Sequence, residues 1–314
     1  MSDEVSQFVG VDWSGADADA AQRAAIWLAV VRDGELCELT PRLTRVEAVE
    51  RVAALAGLHP RTVVGLDFAF SLPRWWLAEQ GFAAADELWR WAAARAEADR
   101  NGWLRQLPDP FWGTRLRLRP TRAFSAGRPE LRVTEREARD AGARPMSAFR
   151  LFGPGTVGAQ GLRGHPCLLR LQDAGFSIWP FEAPAWPLVV EVSPRLLARQ
   201  LAPALARLRA ATLRAAFVEA APLGFTGADA EHAEALRANG DAFDAAVAAW
   251  ALWHGRATLA FLPLEEPVED YRLEGRIWRL PDEALQAGSP VAQWQVPDPA
   301  SVNDFPATGR NLQS

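Results

Sequence analysis

Four aspartates in this chain have the type and placement that metal-assisted phosphate chemistry requires. Asp12 closes the apolar run Phe8-Val9-Gly10-Val11 and is followed at once by Trp13, Ser14 and Gly15. Asp67 closes Thr62-Val63-Val64-Gly65-Leu66 in the same way. Asp241 and Asp244 stand i, i+3 at the start of a mostly apolar helical stretch, so both project from one helix face. Carboxylates gathered at one point repel one another unless protons or divalent cations compensate them. An all-oxygen donor set without Cys or His favours magnesium or manganese over zinc. Two such ions, roughly 3.5–4 Å apart, would activate a water and stabilise the leaving oxygen of a phosphodiester. On this reading Asp12 bridges the ions, Asp67 holds one, and Asp241 and Asp244 complete the shell. Each acid also has a plainer reading. A strand-terminal Asp before small residues is a common turn former. Asp241 can cap its helix, and Asp244 suits the helix dipole. The conjunction of all four argues for a site. Glu191, closing a further apolar run, reads either as a fifth ligand or as the partner of an arginine such as Arg195.

The elements that must position these acids are legible from pattern. Phe8 to Asp12 reads as a strand, Ala24 to Val31 as a second, and Leu36 to Thr40 as a third, with Asp33-Gly34 at the turn between them. Thr44-Arg45-Val46-Glu47 is a capping box, and Val46, Val49, Val52 and Leu55 recur at helical spacing. Thr62 to Leu66 and Leu188 to Val192 are buried-strand runs. Ser193-Pro194 opens a helical region, Asp229 to Arg237 is a further helix, and Asn239-Gly240 precedes the helix Asp241 to His254. Trp75 to Arg100 reads as helical, Gly153 to Gly161 as a glycine-rich loop, and Tyr271 to Trp278 as a short hairpin. The expected architecture is α/β: a five-stranded mixed sheet, three strands antiparallel and then two parallel, flanked by helices. A large insertion, 74–187, precedes the last strand, and a loose tail spans 297–314. That is the strand and helix order of the RNase H-like fold, and in it Asp12 and Asp67 lie on neighbouring parallel strands.

Composition narrows the chemistry further. The chain has 314 residues, about half of them apolar, which suffices for one large domain. Its basic residues are all arginine apart from four histidines; there is no lysine. Schiff-base chemistry, a Walker phosphate loop and a protein-kinase mechanism each use a positioned lysine and are excluded. Cys37 and Cys167 are far apart and lack metal-ligand spacing, as do the histidines. Neither a disulfide framework nor a zinc site is indicated, and a reducing cytoplasm is the expected location. No apolar run reaches the roughly 18 residues of a membrane span. Ser14 has no identifiable His partner, so a serine hydrolase is not favoured.

The motifs Val9-Gly10-Val11-Asp12, Val64-Gly65-Leu66-Asp67 through Leu72-Pro73, Val190-Glu191-Val192-Ser193-Pro194 and Gly240-Asp241-Ala242-Phe243-Asp244-Ala245 resemble, in this order, those of the domain-of-unknown-function 429 family. Gly275-Arg276-Ile277-Trp278 is similar to that family's closing motif. The resemblance spans nearly the whole chain. It implies an RNase H-like nuclease related in layout to RuvC-type resolvases. Relatives often carry His before the first Asp of the helix motif; Gly240 stands there in this chain.

Net charge is −5, but its distribution is uneven. Between Arg115 and Gln172 stand twelve arginines and four acids, a balance of +8, which leaves −13 on the rest. Arginine forks suit phosphate oxygens, and Phe124, Phe149 and Phe152 are placed to stack on bases. Arg115, Arg117, Arg119, Arg122, Arg150 and Arg163, with Ser14, are therefore the candidate contacts to a nucleic acid or other phosphodiester. The competing reading pairs these arginines with the chain's own acids, and the tryptophans read first as packing residues. The expected function is a two-metal nuclease. The alternatives are a nucleotide- or nucleic-acid-binding protein without turnover and an actin- or sugar-kinase-like phosphotransferase. The last needs a second phosphate loop and a repeated sheet, and neither is visible.

Overall fold

The computed structural model describes residues 5–99, 102–114, 118, 124, 127–153, 156–201, 214–215, 218, 230–259, 262–263 and 270–281. Its framework is a mixed sheet of six strands in the order β3-β2-β1-β4-β6-β5. β1 (Gln7–Asp12) pairs antiparallel with β2 (Trp27–Arg32), and β2 with β3 (Glu35–Thr40). On its other side β1 runs parallel to β4 (Thr62–Leu66), and β4 parallel to β6 (Leu188–Glu191). The sixth strand, absent from the expected five, is β5 (Ser177–Ile178), parallel to β6 at the edge. Two residues are too few to show an alternation pattern. The ladder forms because Ser177 N–H donates to Pro187 C=O and Trp179 N–H to Val189 C=O.

Other boundaries shift for local reasons. The link from β1 to β2 contains a short helix, α1 (Asp19–Ala25), so the second strand starts at Trp27. Helix α2 (Arg45–Leu58) begins with the expected capping box, Thr44 Oγ1 accepting from Glu47 N–H and Glu47 accepting from Thr44 N–H. The helical stretch expected over 75–100 consists of two helices, α3 (Arg74–Glu79) and α4 (Ala85–Ala98), separated at Gly81, whose φ of +78° ends the first. A 3₁₀ turn, Trp103–Gln106, and α5 (Val133–Asp140) follow.

The glycine-rich stretch after Gly153 is mostly helix: α6 spans Val157–Asp173. Gly158, Gly161 and Gly164 fall at i, i+3, i+6 on one face. A side chain there would strike the Ala148 carbonyl, the Ala69 carbonyl and the Phe68 ring respectively. These glycines therefore seat the helix closely on its neighbours. The remaining helices are α7 (Pro194–Leu201), α8 (Ala230–Ala238), α9 (Gly240–His254), α10 (Arg256–Leu259) and α11 (Tyr271–Glu274). The hairpin expected over 271–278 is instead α11 followed by an isolated parallel bridge between Ile277 and Glu191. The expected tail, 297–314, lies outside the described residues.

Alternation along the strands divides the core. Val9, Val11, Val64, Leu66 and Val189 face a layer that includes α2, α4 and α6. Phe8, Val31, Val63, Leu188 and Val190 face α7 and α9. Fully burying a Val, Leu or Phe side chain contributes roughly 1.5–3 kcal/mol, so each layer is a substantial source of stability. α9 crosses β1, β2 and β4, and its small residues permit a close approach. Gly10 and Gly65 are register partners on neighbouring strands and form the groove in which α9 lies. A Cβ at Gly10 would collide with the Ala245 carbonyl and come within 2.6 Å of Ala249 N. At Gly65 it would meet Val192 and Leu252.

No helix among the described residues is long and apolar enough to cross a membrane.

Candidate functional site

The groove glycines and the acids belong to one pattern. Each Gly lies two residues before its Asp, hence on the same sheet face: Gly10 before Asp12, Gly65 before Asp67. That is the face toward α9. Asp67 N–H donates to Val11 C=O at 3.2 Å, so the two acids leave the C-terminal edge of β1 and β4 side by side. Their carboxyl groups share a hydrogen bond. α9 brings its first turn to the same edge. Asn239 caps it, accepting from Asp241 N–H at 2.8 Å and Ala242 N–H at 3.1 Å. The cap is thus Asn239, which leaves the Asp241 carboxylate free of that duty.

The electrostatics record the convergence. Asp12 is only 9% exposed. Burial raises its carboxyl well above the usual range, and Asp67, Asp244 and Asp241 each push it further. Asp67 is raised by burial and by Asp244, against the opposing hydrogen bond to Asp12 and the charge of Arg195. Asp244 is pushed up to about 6 by burial, with Asp241 adding to the rise while Arg195 and Arg214 oppose it. Asp241 is raised by burial against Arg214. Without a cation the Asp12–Asp67 pair therefore retains a proton near neutral pH, a property of the pair and not of either acid alone.

As oxygen donors these four residues suit a hard divalent ion, and their retained proton stands where compensating positive charge is needed. Among the described residues, no three His, Cys, Asp or Glu side chains form a ready-made metal cage. Loading an ion would require the proton shared by Asp12 and Asp67 to leave.

Glu191, read as a possible fifth ligand, is committed elsewhere. It pairs with Leu66 in register, so its side chain faces away from α9. Its carboxylate accepts from Arg132 Nη1 at 2.9 Å, Arg132 Nη2 at 2.5 Å and Phe70 N–H at 2.9 Å. Arg132 is 1% exposed and also binds Glu135 and the Glu274 carbonyl. The expected arginine partner exists, but it is Arg132, 59 residues away in sequence, instead of Arg195. Glu274 in turn accepts from the amides of Arg74 and Val133, each at 2.6 Å. This buried network ties α3, α5, β6 and α11 together.

The proposed substrate contacts divide similarly. Arg163 is buried, forms an ion pair with Asp17 and donates to the Gly15 carbonyl, so it holds the loop after Asp12. Ser14 Oγ accepts from Ala16 N–H at 3.2 Å, a local turn. Gln160 Nε2 donates to the Trp13 carbonyl, and Arg45 Nη1 to the carbonyls of Ser14 and Ala16. The turn that follows Asp12 is thereby held from both sides. Arg150 lies over the Trp112 ring at 5.2 Å. Arg115, Arg117, Arg119 and Arg122 lie outside the described residues. Phe149 is packed among Trp75, Trp76, Phe111 and Phe124.

Two residues near the acids escaped the sequence reading in this role: Arg195, considered only as a partner of Glu191, and Arg214. For Arg195 a signal was present: it stands in the first turn of a helix opened by Pro194, an end where positive charge is disfavoured. Arg214 comes beside the start of α9 only through the fold.

Compared with protein-family models, curated proteins and solved structures, the chain matches none.

Proposed function

We propose that this protein is a metal-dependent nuclease of RNase H-like architecture, hydrolysing phosphodiester bonds of nucleic acid. The observation that carries the reading is that Asp12 and Asp67 leave the C-terminal edge of β1 and β4 side by side, within reach of the charges of Asp241 and Asp244 in the first turns of α9. Three separate stretches of chain contribute these acids, and burial, with mutual repulsion added, raises Asp12, Asp67 and Asp244. Such self-repulsion is unfavourable for folding and recurs where charge is organised for chemistry. The strand order β3-β2-β1-β4-β6, with β5 as an added edge, supports the architecture. Magnesium or manganese held there would supply Lewis acidity and a water of lowered pKa. Asp12 and Asp67, side by side on adjoining strands, would anchor the centre on the most rigid elements. Asp241 and Asp244, on one face of α9, would close it from above. The loop from Trp13 to Asp17, held by Arg45, Gln160 and Arg163, fixes the direction in which the Asp12 carboxylate leaves β1.

The test uses labelled single-stranded, duplex and branched DNA and RNA incubated with the protein in manganese. Wild type should cut at least one of these, and Asp12→Asn should reduce the rate at least 100-fold. Cutting that survives in Asp12→Asn or in EDTA would contradict the mechanism. Manganese-dependent binding of these strands without any cutting would favour the reading as a binding protein.

A further inference from the structure

We infer that Arg195 and Arg214 are the phosphate contacts of this site, a pair of guanidinium groups flanking the four acids. The inference rests on the nuclease reading and names the groups that hold its substrate.

Position is the first argument. Val192 N–H donates to the Leu66 carbonyl at 3.1 Å, so Ser193, Pro194 and Arg195 leave the sheet directly beside Asp67. Arg195 is exposed, in the first turn of α7, and its charge acts on Asp67 and Asp244. Arg214 reaches the site from the other direction. Its Nε donates to the Arg237 carbonyl at the end of α8 at 3.0 Å. Its Nη1 lies 3.7 Å from the point where a side chain on Gly240 would begin. Gly240 thus leaves room for a guanidinium beside Asp241, and that charge acts on Asp241 and Asp244.

The second argument is that local stability does not account for Arg195, and for Arg214 it supplies only the hydrogen bond to the Arg237 carbonyl. Both stand beside helix N-termini, where a cation opposes the dipole. Among the described residues neither forms an ion pair of 4 Å or less with a carboxylate. By contrast Arg132 and Arg163 are buried and held in ion pairs with carboxylates. Two helix N-termini plus two guanidinium groups form a strongly anion-attracting rim around acids that require cations. Asp12, nine-tenths buried, has the Asp67 carboxyl as its hydrogen-bond partner, and the charges of Asp67, Asp244 and Asp241 all act on it. A phosphodiester is the ligand chemistry that suits both rim and floor. Its non-bridging oxygens can face an arginine while the floor acids serve a metal.

The experiment pairs two titrations on the intact protein and on Arg195→Ala, Arg214→Ala and Arg195→Lys. One is manganese binding by calorimetry. The other is anisotropy of a fluorescein-labelled 15-nucleotide single-stranded DNA carrying phosphorothioate linkages, in manganese. Each alanine variant should bind this DNA at least tenfold more weakly. The slope of its salt dependence should also be shallower, by about 0.7 for each phosphate that the variant leaves unneutralised. Manganese affinity should hold or rise, because a repelling positive charge has gone. Arg195→Lys should retain part of the DNA affinity. Unchanged DNA affinity in both alanine variants, with manganese still bound, overturns the phosphate role and leaves the metal reading standing. Absence of manganese binding by the wild type overturns both.

Discussion

At the residue scale, the acids of the site should weaken the fold that carries them. Asp12, Asp67 and Asp244 are raised by burial and mutual repulsion, so the folded chain holds protons that the unfolded chain releases. The sign follows from linkage: ion-free stability falls as pH climbs from the unfolded carboxylate value near 4 through the raised values, Asp244 at about 6 among them. Asp12→Asn removes one charge from the cluster. In EDTA at pH 7.5 it should raise the melting temperature by about 2–5 °C and flatten the pH dependence. Manganese should stabilise wild type and have little effect on the variant. A variant less stable than wild type in EDTA at that pH would contradict this electrostatic account. Glu191 should behave oppositely. Glu191→Ala removes one of the two carboxylates paired with the buried Arg132, leaving it Glu135 alone, and should cost about 3 kcal/mol in urea unfolding. Where Glu191→Gln still folds, its manganese affinity should equal wild type; a large loss would return Glu191 to the metal site. Asp12 and Asp67 were legible because each ends an apolar run. The partner of Glu191 was not, since its ion pair joins positions that no local pattern connects.

At the scale of elements, the site depends on how closely α9 lies on β1 and β4. Gly10 and Gly65 differ in what an added methyl group would meet. At Gly10 the obstacle is α9 backbone, which cannot move without the helix; at Gly65 it is the side chains of Val192 and Leu252. Gly10→Ala should therefore destabilise severely or prevent folding, and Gly65→Ala should cost about 1–3 kcal/mol. Chemical denaturation of both variants provides the check, and equal losses would contradict the packing argument. The repeated Gly-x-Asp spacing was visible in sequence, and so was the helix that lies on it. What stayed hidden was α6. Its glycines and Pro166 mimic loop composition, whereas their spacing of three serves close packing on Phe68, Ala69 and Ala148. The hairpin expected near Tyr271 failed for a related reason. Gly275, with φ of +79°, ends a helical turn there, and Ile277 bridges to Glu191 instead of folding back on its own segment.

At the scale of the whole molecule, the polarity of charge along the chain serves the fold as well as any substrate. Arg132 and Arg163, two of the twelve arginines between Arg115 and Gln172, are buried in ion pairs, and Arg128 pairs with Glu79. Substituting Arg163 by Ala should lower unfolding stability while leaving the salt dependence of nucleic-acid binding unchanged. A shallower salt slope in that variant would reassign Arg163 to the substrate. Charge counting could locate the basic segment but could not separate cations already consumed by the chain from those available to a ligand. Contacts across the fold decide that. The strand order was largely legible, because runs ending in acids and the capping box at Thr44 are local signals. The central claim is that three stretches of chain build one cation site. Crystals soaked in manganese test it most directly, through the anomalous signal of the ion. The account predicts a peak bound by Asp12 and Asp67 together with Asp241 or Asp244, absent in crystals of Asp12→Asn. A well-ordered wild-type crystal with no manganese peak among these carboxylates would contradict it.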